Sequence, residues 1–261
     1  MIFDAHLHLP CYNDDDKTLG EKKNRLLDDL ERNGVAGAIV ISDSETSSVI
    51  GTPSECVELF EDTDNIYVMG AVSPLIDYNA RLTLLDNLLK KEKIIALKVY
   101  PGHEAFYMDD PRLYAIYELC EKYDVPLAVH TGWDNPQYTQ AGFFADIAKK
   151  HPNLKIVICH MCWPEIDLCF RSTTRYPNVY WDISSLAYES DVIEKTSALL
   201  SRFAQIHADR ILFGSDYGAC SIMEHINLVN ALGIGQEAKE MILASNALKL
   251  YKINLPKGII R

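Results

Sequence analysis

The feature that most constrains this chain is an eightfold alternation of short apolar runs with helix-periodic segments. Runs rich in β-branched residues begin at Ile2 (IFDAHLHL), Val35 (VAGAIVIS), Ile66 (IYVMGAVS) and Ile94 (IIALKVYP). Four more begin at Pro126 (PLAVHTG), Lys155 (KIVICHMC), Val179 (VYWDISS) and Ile211 (ILFGSDYG). Their spacing of roughly 30 residues is that of a strand plus a crossover helix. Between them, Leu113, Ile116, Tyr117 and Cys120 share one helix face behind an Asp110–Pro111 start. Leu82, Leu85, Leu88 and Leu89 repeat the pattern, and Phe143, Phe144 and Ile147 do so more briefly. Gly34 suits a helix C-cap ahead of the second run. Such alternation builds a closed (β/α)8 barrel or an open doubly wound sheet. No G-x-G-x-x-G follows a run and no P-loop string occurs, so the nucleotide-binding open sheet lacks its mark. The expectation is an α/β fold, a (β/α)8 TIM barrel forming a single domain over residues 1–261, since no Pro/Gly/Ser-rich linker divides it.

Composition narrows the partners. A formal charge of −12, with no Lys/Arg block, argues against nucleic acid and anionic membranes and tolerates cations. No apolar run reaches the ~18 residues of a membrane span. The opening MIFDAHLHL lacks the basic and apolar regions of a signal peptide. Seven cysteines in a chain of this length are too few for a disulfide framework and suit a reducing, cytoplasmic setting. The partners expected are a small-molecule substrate and copies of the chain itself in a homo-oligomer.

Strand periodicity sorts the polar residues. In FDAHLHL it places Asp4, His6 and His8 on one face and Phe3, Ala5, Leu7 and Leu9 toward the helices. Imidazoles at i and i+2 converge on one cation. Four further apolar runs end in Lys98, His130, His160 and Asp216. A barrel brings the C-terminal ends of its strands to one mouth, where polar groups inside an apolar wall need partners or an ion. Imidazole and carboxylate donors suit a borderline divalent cation, Zn²⁺ foremost and Mn²⁺ next. Asp4, a layer below His6, and Asp182, on the seventh strand, are placed to orient a ligand imidazole. Cys159 and Cys162 lie three apart, on opposite strand faces, with Cys159 expected against the helices and Cys162 at the mouth. Trp133 and Trp163 follow two strands directly and either wall the pocket or pack the loops. Tyr100 and His103, following Lys98, either contact substrate or stand as exposed loop residues, the second being the expectation; Asp14, Asp15 and Asp16 are expected as a solvated loop, and His151, His207 and His225 as structural or surface residues.

DAHLHL, the strand-end His130 and His160, and GSDYG together resemble the amidohydrolase superfamily, within it the amidohydrolase-related branch of hydrolases, lactonases and decarboxylases. The closing string SNALKLYKI, from Ser245, resembles that branch as well. TatD-like deoxyribonucleases share the length and the H-x-H start, but Lys98 and GSDYG stand where they carry Glu and a Thr-Asp-Ser string. Gly218 and Met161–Cys162 replace the branch's usual Pro and Met-Gly.

The resemblance implies one or two divalent metal ions. In a mononuclear site His6, His8, His130 and Asp216 hold the ion, and His160 acts as acid/base or polarises the substrate carbonyl. In a binuclear site His130 and His160 hold a second ion, and Lys98, carbamylated, bridges the two; otherwise Lys98 pairs with an acid or a substrate carboxylate. Asp216 moves a proton from water to the leaving group. The function implied is a metal-dependent hydrolase of a small ester, lactone or amide. The alternative is a metal-dependent non-oxidative decarboxylase of an unsaturated or aromatic acid, which needs a carboxylate anchor, usually Arg; a third is a non-catalytic metal- or ligand-binding barrel.

Overall fold

A computed structural model describes residues 1–11, 18–133, 135–188 and 190–255; Asp14, Asp15 and Asp16 lie outside the described residues. Eight parallel strands pair in chain order. They are β1 (Ile2–Leu7), β2 (Val35–Ile41), β3 (Ile66–Ala71), β4 (Ala96–Val99), β5 (Leu127–Val129), β6 (Ile156–Ile158), β7 (Val179–Asp182) and β8 (Ile211–Leu212). Each is followed by a helix: α1 (Leu19–Arg32), α2 (Pro53–Phe60), α3 (Tyr78–Lys90), α4 (Tyr114–Tyr123), α5 (Ala141–Lys150), α6 (Ile166–Thr173), α7 (Ser190–His207) and α8 (Ile222–Ala231). The result is the expected single-domain (β/α)8 barrel. Thr18 and Thr52 start α1 and α2 with reciprocal capping boxes to Glu21 and Glu55, and Gly34 turns the chain out of α1 at φ +67°.

The barrel closes where β1 meets the chain just beyond β8. Ala5 N donates to Phe213 O (3.0 Å), Asp216 N to His6 O (2.8 Å) and His8 N to Tyr217 O (2.8 Å). A final helical run, Gln236–Glu240, Met241–Ser245 and Asn246–Leu250, backs this seam, with Phe213 N donating to Ile242 O at 3.0 Å.

Alternating side chains make two apolar layers. Val40, Val68, Leu97, Val99, Leu127, Val129, Ile156, Ile158 and Trp181 pack with the helices, whereas Ile39, Ile41, Met69, Ala96, Ala128, Val157 and Leu212 fill the barrel. On β1 the strict alternation fails. Asp4 pairs with Ala38 and Leu7 with Val40, three steps on one strand against two on the other. This bulge reverses the side-chain phase within β1. Phe3 and Ala5 therefore join the inner layer, contrary to expectation, while Leu7 and Leu9 do face the helices. Asp4 orients no imidazole: its Oδ1 accepts from His6 N (3.1 Å) and Ser215 N (3.0 Å), bracing backbone on both sides of the seam.

The cysteine assignment is corrected too. Cys159, in phase with Val157, belongs to the inner layer, and Cys162 packs with the helices, its thiol donating to Thr139 O at 3.6 Å. β6 ends at Ile158, and His160, Met161 and Cys162 take left-handed backbone (φ +57°, +48°, +56°), so period-two counting does not carry past Cys159. No disulfide joins cysteines among the described residues, and no helix among them is long and apolar enough to cross a membrane.

Candidate metal centre and its cavity

His6 and His8 reach the mouth from the end of β1, and Asp216 comes to them from beyond β8, its backbone left-handed at φ +57°. Asp216 Oδ1 lies 3.5 Å from both His6 Nε2 and His8 Nε2. The donor atoms of these three residues all lie within 4.8 Å of one another. His160 packs its ring 5.2 Å from that of His6, and His130 lies 5.0 Å from His160, both ring-centroid distances. His130 thus borders the set through His160 and stands outside the mutual 4.8 Å group.

The imidazoles share a mode of anchoring. His6 Nδ1 lies 2.6 Å from Asp182 Oδ2, His8 Nδ1 lies 3.1 Å from Ile41 O, and His160 Nδ1 lies 3.0 Å from Ser184 O. Each partner is an acceptor, so each Nδ1 carries a proton, which leaves Nε2 as the atom that can offer a lone pair to an ion. His6 Nε2 and His130 Nε2 are buried with no hydrogen-bond partner in the protein. Buried polar atoms without partners are costly, and a divalent cation would satisfy these. The residues therefore fit a divalent ion held by His6, His8 and Asp216, with His130 and His160 adjacent.

For His8, His130 and His160 the electrostatics agree with lone-pair donors. Burial, aided by the charges of His6 and Lys98, pushes His8 down to about 4 despite Asp216. His160 also falls to about 4, chiefly by burial, and burial drives His130 well below its usual value, with His160 and His103 adding to it. His6 goes the other way: burial and Lys98 oppose its protonation, but contact with Asp182 raises it to about 10. Asp182 and Asp216 stay below the ordinary carboxyl range; burial alone would raise them, but the neighbouring imidazoles overcome it.

Lys98 points inward and is fully buried. Its Nζ donates to Cys159 Sγ at 3.1 Å and lies 5.2 Å from the Tyr100 ring centroid. All the expected site residues, His6, His8, Lys98, His130, His160 and Asp216, line one cavity of about 580 Å³. Trp133 lines it also, with Trp163 stacked behind it at 5.7 Å. His103 is exposed, as expected, and Tyr100 half-buried; both line the cavity, and the His103 ring centroid lies 4.0 Å from that of His130. His225 is fully buried in α8, its Nδ1 donating to Ser221 O at 2.8 Å.

Several groups went unseen in the sequence. Ser184 donates to Asp182 and stands 2.9 Å from His160 Nδ1, and Ser185 donates to Asp216. They follow Asp182 after Ile183 in WDISS, and that polar strand end is the available signal. Asp43 and Glu104 also line the cavity. Asp43 ends the second apolar run as Asp216 ends the eighth, whereas nothing local marks Glu104.

The amidohydrolase family pattern matches residues 3–253. No curated protein matches the chain. Among solved structures, an uncharacterized TIM-barrel protein from Bordetella bronchiseptica superposes with a TM-score of 0.74 at 21% identity, covering 97% of this chain and 98% of that one. A dihydroxybenzoic acid decarboxylase from Polaromonas sp. JS666 with bound manganese gives 0.70 at 16% identity, covering 100% and 99%. A probable 2-pyrone-4,6-dicarboxylic acid hydrolase from Acinetobacter baumannii gives 0.68 at 12% identity, covering 96% and 99%. At these identities the likeness is one of fold, while the sequence pattern spans nearly all of the chain. The chain belongs to the amidohydrolase family.

Proposed function

We propose that this protein is a metal-dependent hydrolase of a small ester, lactone or amide. The observation that carries this reading is the meeting of His6, His8 and Asp216 across the barrel seam, with Asp216 Oδ1 3.5 Å from both Nε2 atoms. A bound Zn²⁺ or Mn²⁺ would supply a water acidic enough to ionise near neutral pH and would polarise a substrate carbonyl. The chain's own residues do the rest. Asp182, Ile41 O and Ser184 O fix the three imidazoles. Asp216, steadied by the Ser185 hydroxyl, takes a proton from the attacking water and returns it to the leaving group. His160 keeps Nε2 unprotonated, which suits a ligand or base better than a donor to the substrate carbonyl. Lys98 presents the ammonium at the cavity floor, where it meets a substrate carbonyl or carboxylate.

A decarboxylase on the same site is the second reading, favoured by the fold shared with the manganese-containing decarboxylase. It needs an anchor for the acid, usually Arg; among the described residues no arginine lines the cavity, which leaves Lys98 for that role. Metal analysis of protein purified without added metal, beside His6→Ala, tests the site. The expected result is a stoichiometric divalent ion that the variant loses. A panel of esters, lactones, amides and aromatic acids then separates the readings: hydrolysis supports the first, and CO₂ release alone overturns it.

A further inference from the structure

The cavity is lined asymmetrically. Asp43, Ser44 and Glu45 from the loop after β2, and Glu104 from the loop after β4, form one wall. Trp133, after β5, and Tyr188, after β7, form another, which the strand order sets across the mouth. Their rings meet edge to face with centroids 4.9 Å apart, and they are 40% and 41% exposed. Glu104 is partly buried and accepts from the hydroxyls of Ser44 (2.7 Å) and Ser73. Both donors are neutral. Among the described residues no lysine or arginine forms an ion pair with the Asp43, Glu45 or Glu104 carboxylates; the Arg81 guanidinium donates instead to the backbone carbonyl of Glu45 at 2.6 Å. Among the described residues the one lysine that lines the cavity, Lys98, donates to Cys159 Sγ at 3.1 Å.

A partly desolvated carboxylate without a counter-charge costs free energy, which a bound cation would offset. An anionic group at this wall would meet three carboxylates. The acidic wall is not an isolated surface cluster, because it shares its cavity with the buried, unpartnered Nε2 of His130.

We infer that the pocket selects substrates carrying an organic cation, an ammonium or guanidinium group held at the Asp43–Glu45–Glu104 wall, with the apolar part of the substrate facing the Trp133–Tyr188 rings across the mouth. This rests on the hydrolase reading only in placing the scissile bond toward His6 and His8.

The test is a titration of the purified, metal-containing protein with 3-phenylpropylammonium and its uncharged counterpart 3-phenylpropanol, at neutral pH and low salt. The cation is expected to bind at least about fivefold more tightly, with the advantage shrinking as salt is added. Glu104→Gln keeps an acceptor for Ser44 and Ser73 but removes the charge. It is expected to lower the cation's affinity about fivefold and leave the alcohol's unchanged, with Asp43→Asn as a second variant should Glu104→Gln fail to fold. Equal binding of the two probes, no binding of either, or cation affinity untouched by the folded variant would each overturn the inference. Metal content read on the same samples separates the two claims. Cation preference without bound metal sinks the hydrolase reading alone, and bound metal without the preference sinks this inference alone.

Discussion

At the scale of single residues, the site depends on which nitrogen of each imidazole is occupied. Asp182 Oδ2, 2.6 Å from His6 Nδ1, is the strongest of these anchors because it is a charged, buried acceptor. Asp182→Asn should therefore weaken metal affinity by roughly 10- to 100-fold without removing a direct ligand. Competition against a chromogenic chelator measures it, and unchanged affinity would show that Asp182 does not tune the site. His6, His8, Lys98 and Asp182 were legible in the sequence because a strand's period of two marks them. Asp4 and Cys159 were misplaced for one reason: the bulge in β1 and the early end of β6 shift the phase by a residue, and neither leaves a mark in the residue types. Ser184, Ser185 and Glu104 were invisible because small polar residues and loop carboxylates have many other uses.

At the scale of elements, the eight strands and their helices follow from the spacing of apolar runs, but several strands are shorter than those runs. β5 ends at Val129, β6 at Ile158 and β8 at Leu212, so His130, His160 and Asp216 stand on the bends that follow. Those bends aim the side chains, and a left-handed φ at His160 or Asp216 is not written in an apolar pattern. Close approach sets a further condition. A Cβ on Gly214 would lie 2.7 Å from His6 Cβ and 3.3 Å from Ser184 Cβ. Gly214→Ala should therefore push His6 off its position. The expected result is loss of about 1–3 kcal/mol of stability, seen in chemical denaturation, together with reduced metal content. A variant with wild-type stability and full metal content would refute that contact.

At the scale of the whole molecule, the imidazoles make stability depend on pH. His8, His130, His160 and His225 all have folded pKa values below the ordinary histidine value, chiefly through burial. The unfolded chain therefore binds their protons first, and stability present above about pH 6.5 is lost as pH falls toward 4. Asp4, raised to about 7 by burial, and Glu104, also raised by burial, oppose this, while His207, lowered chiefly by burial, adds to it. His6, raised to about 10, contributes in full throughout that window and loses its effect only as pH rises above it. Chelator-treated protein should melt more than about 5 °C lower at pH 5 than at pH 7. A flat or rising melting temperature in differential scanning fluorimetry would contradict the burial of neutral imidazoles.

The joint that shuts the barrel has a consequence for its assembly. The backbones of His6 and His8 pair with those of Asp216 and Tyr217, while their side chains converge a few ångströms away. An ion gripped there would rivet the first strand to the eighth, so that filling the site and completing the cylinder become one event. Chelation should then speed hydrogen exchange at the amides of His8 and Asp216 well before it reaches those of β3 and β4 on the far side.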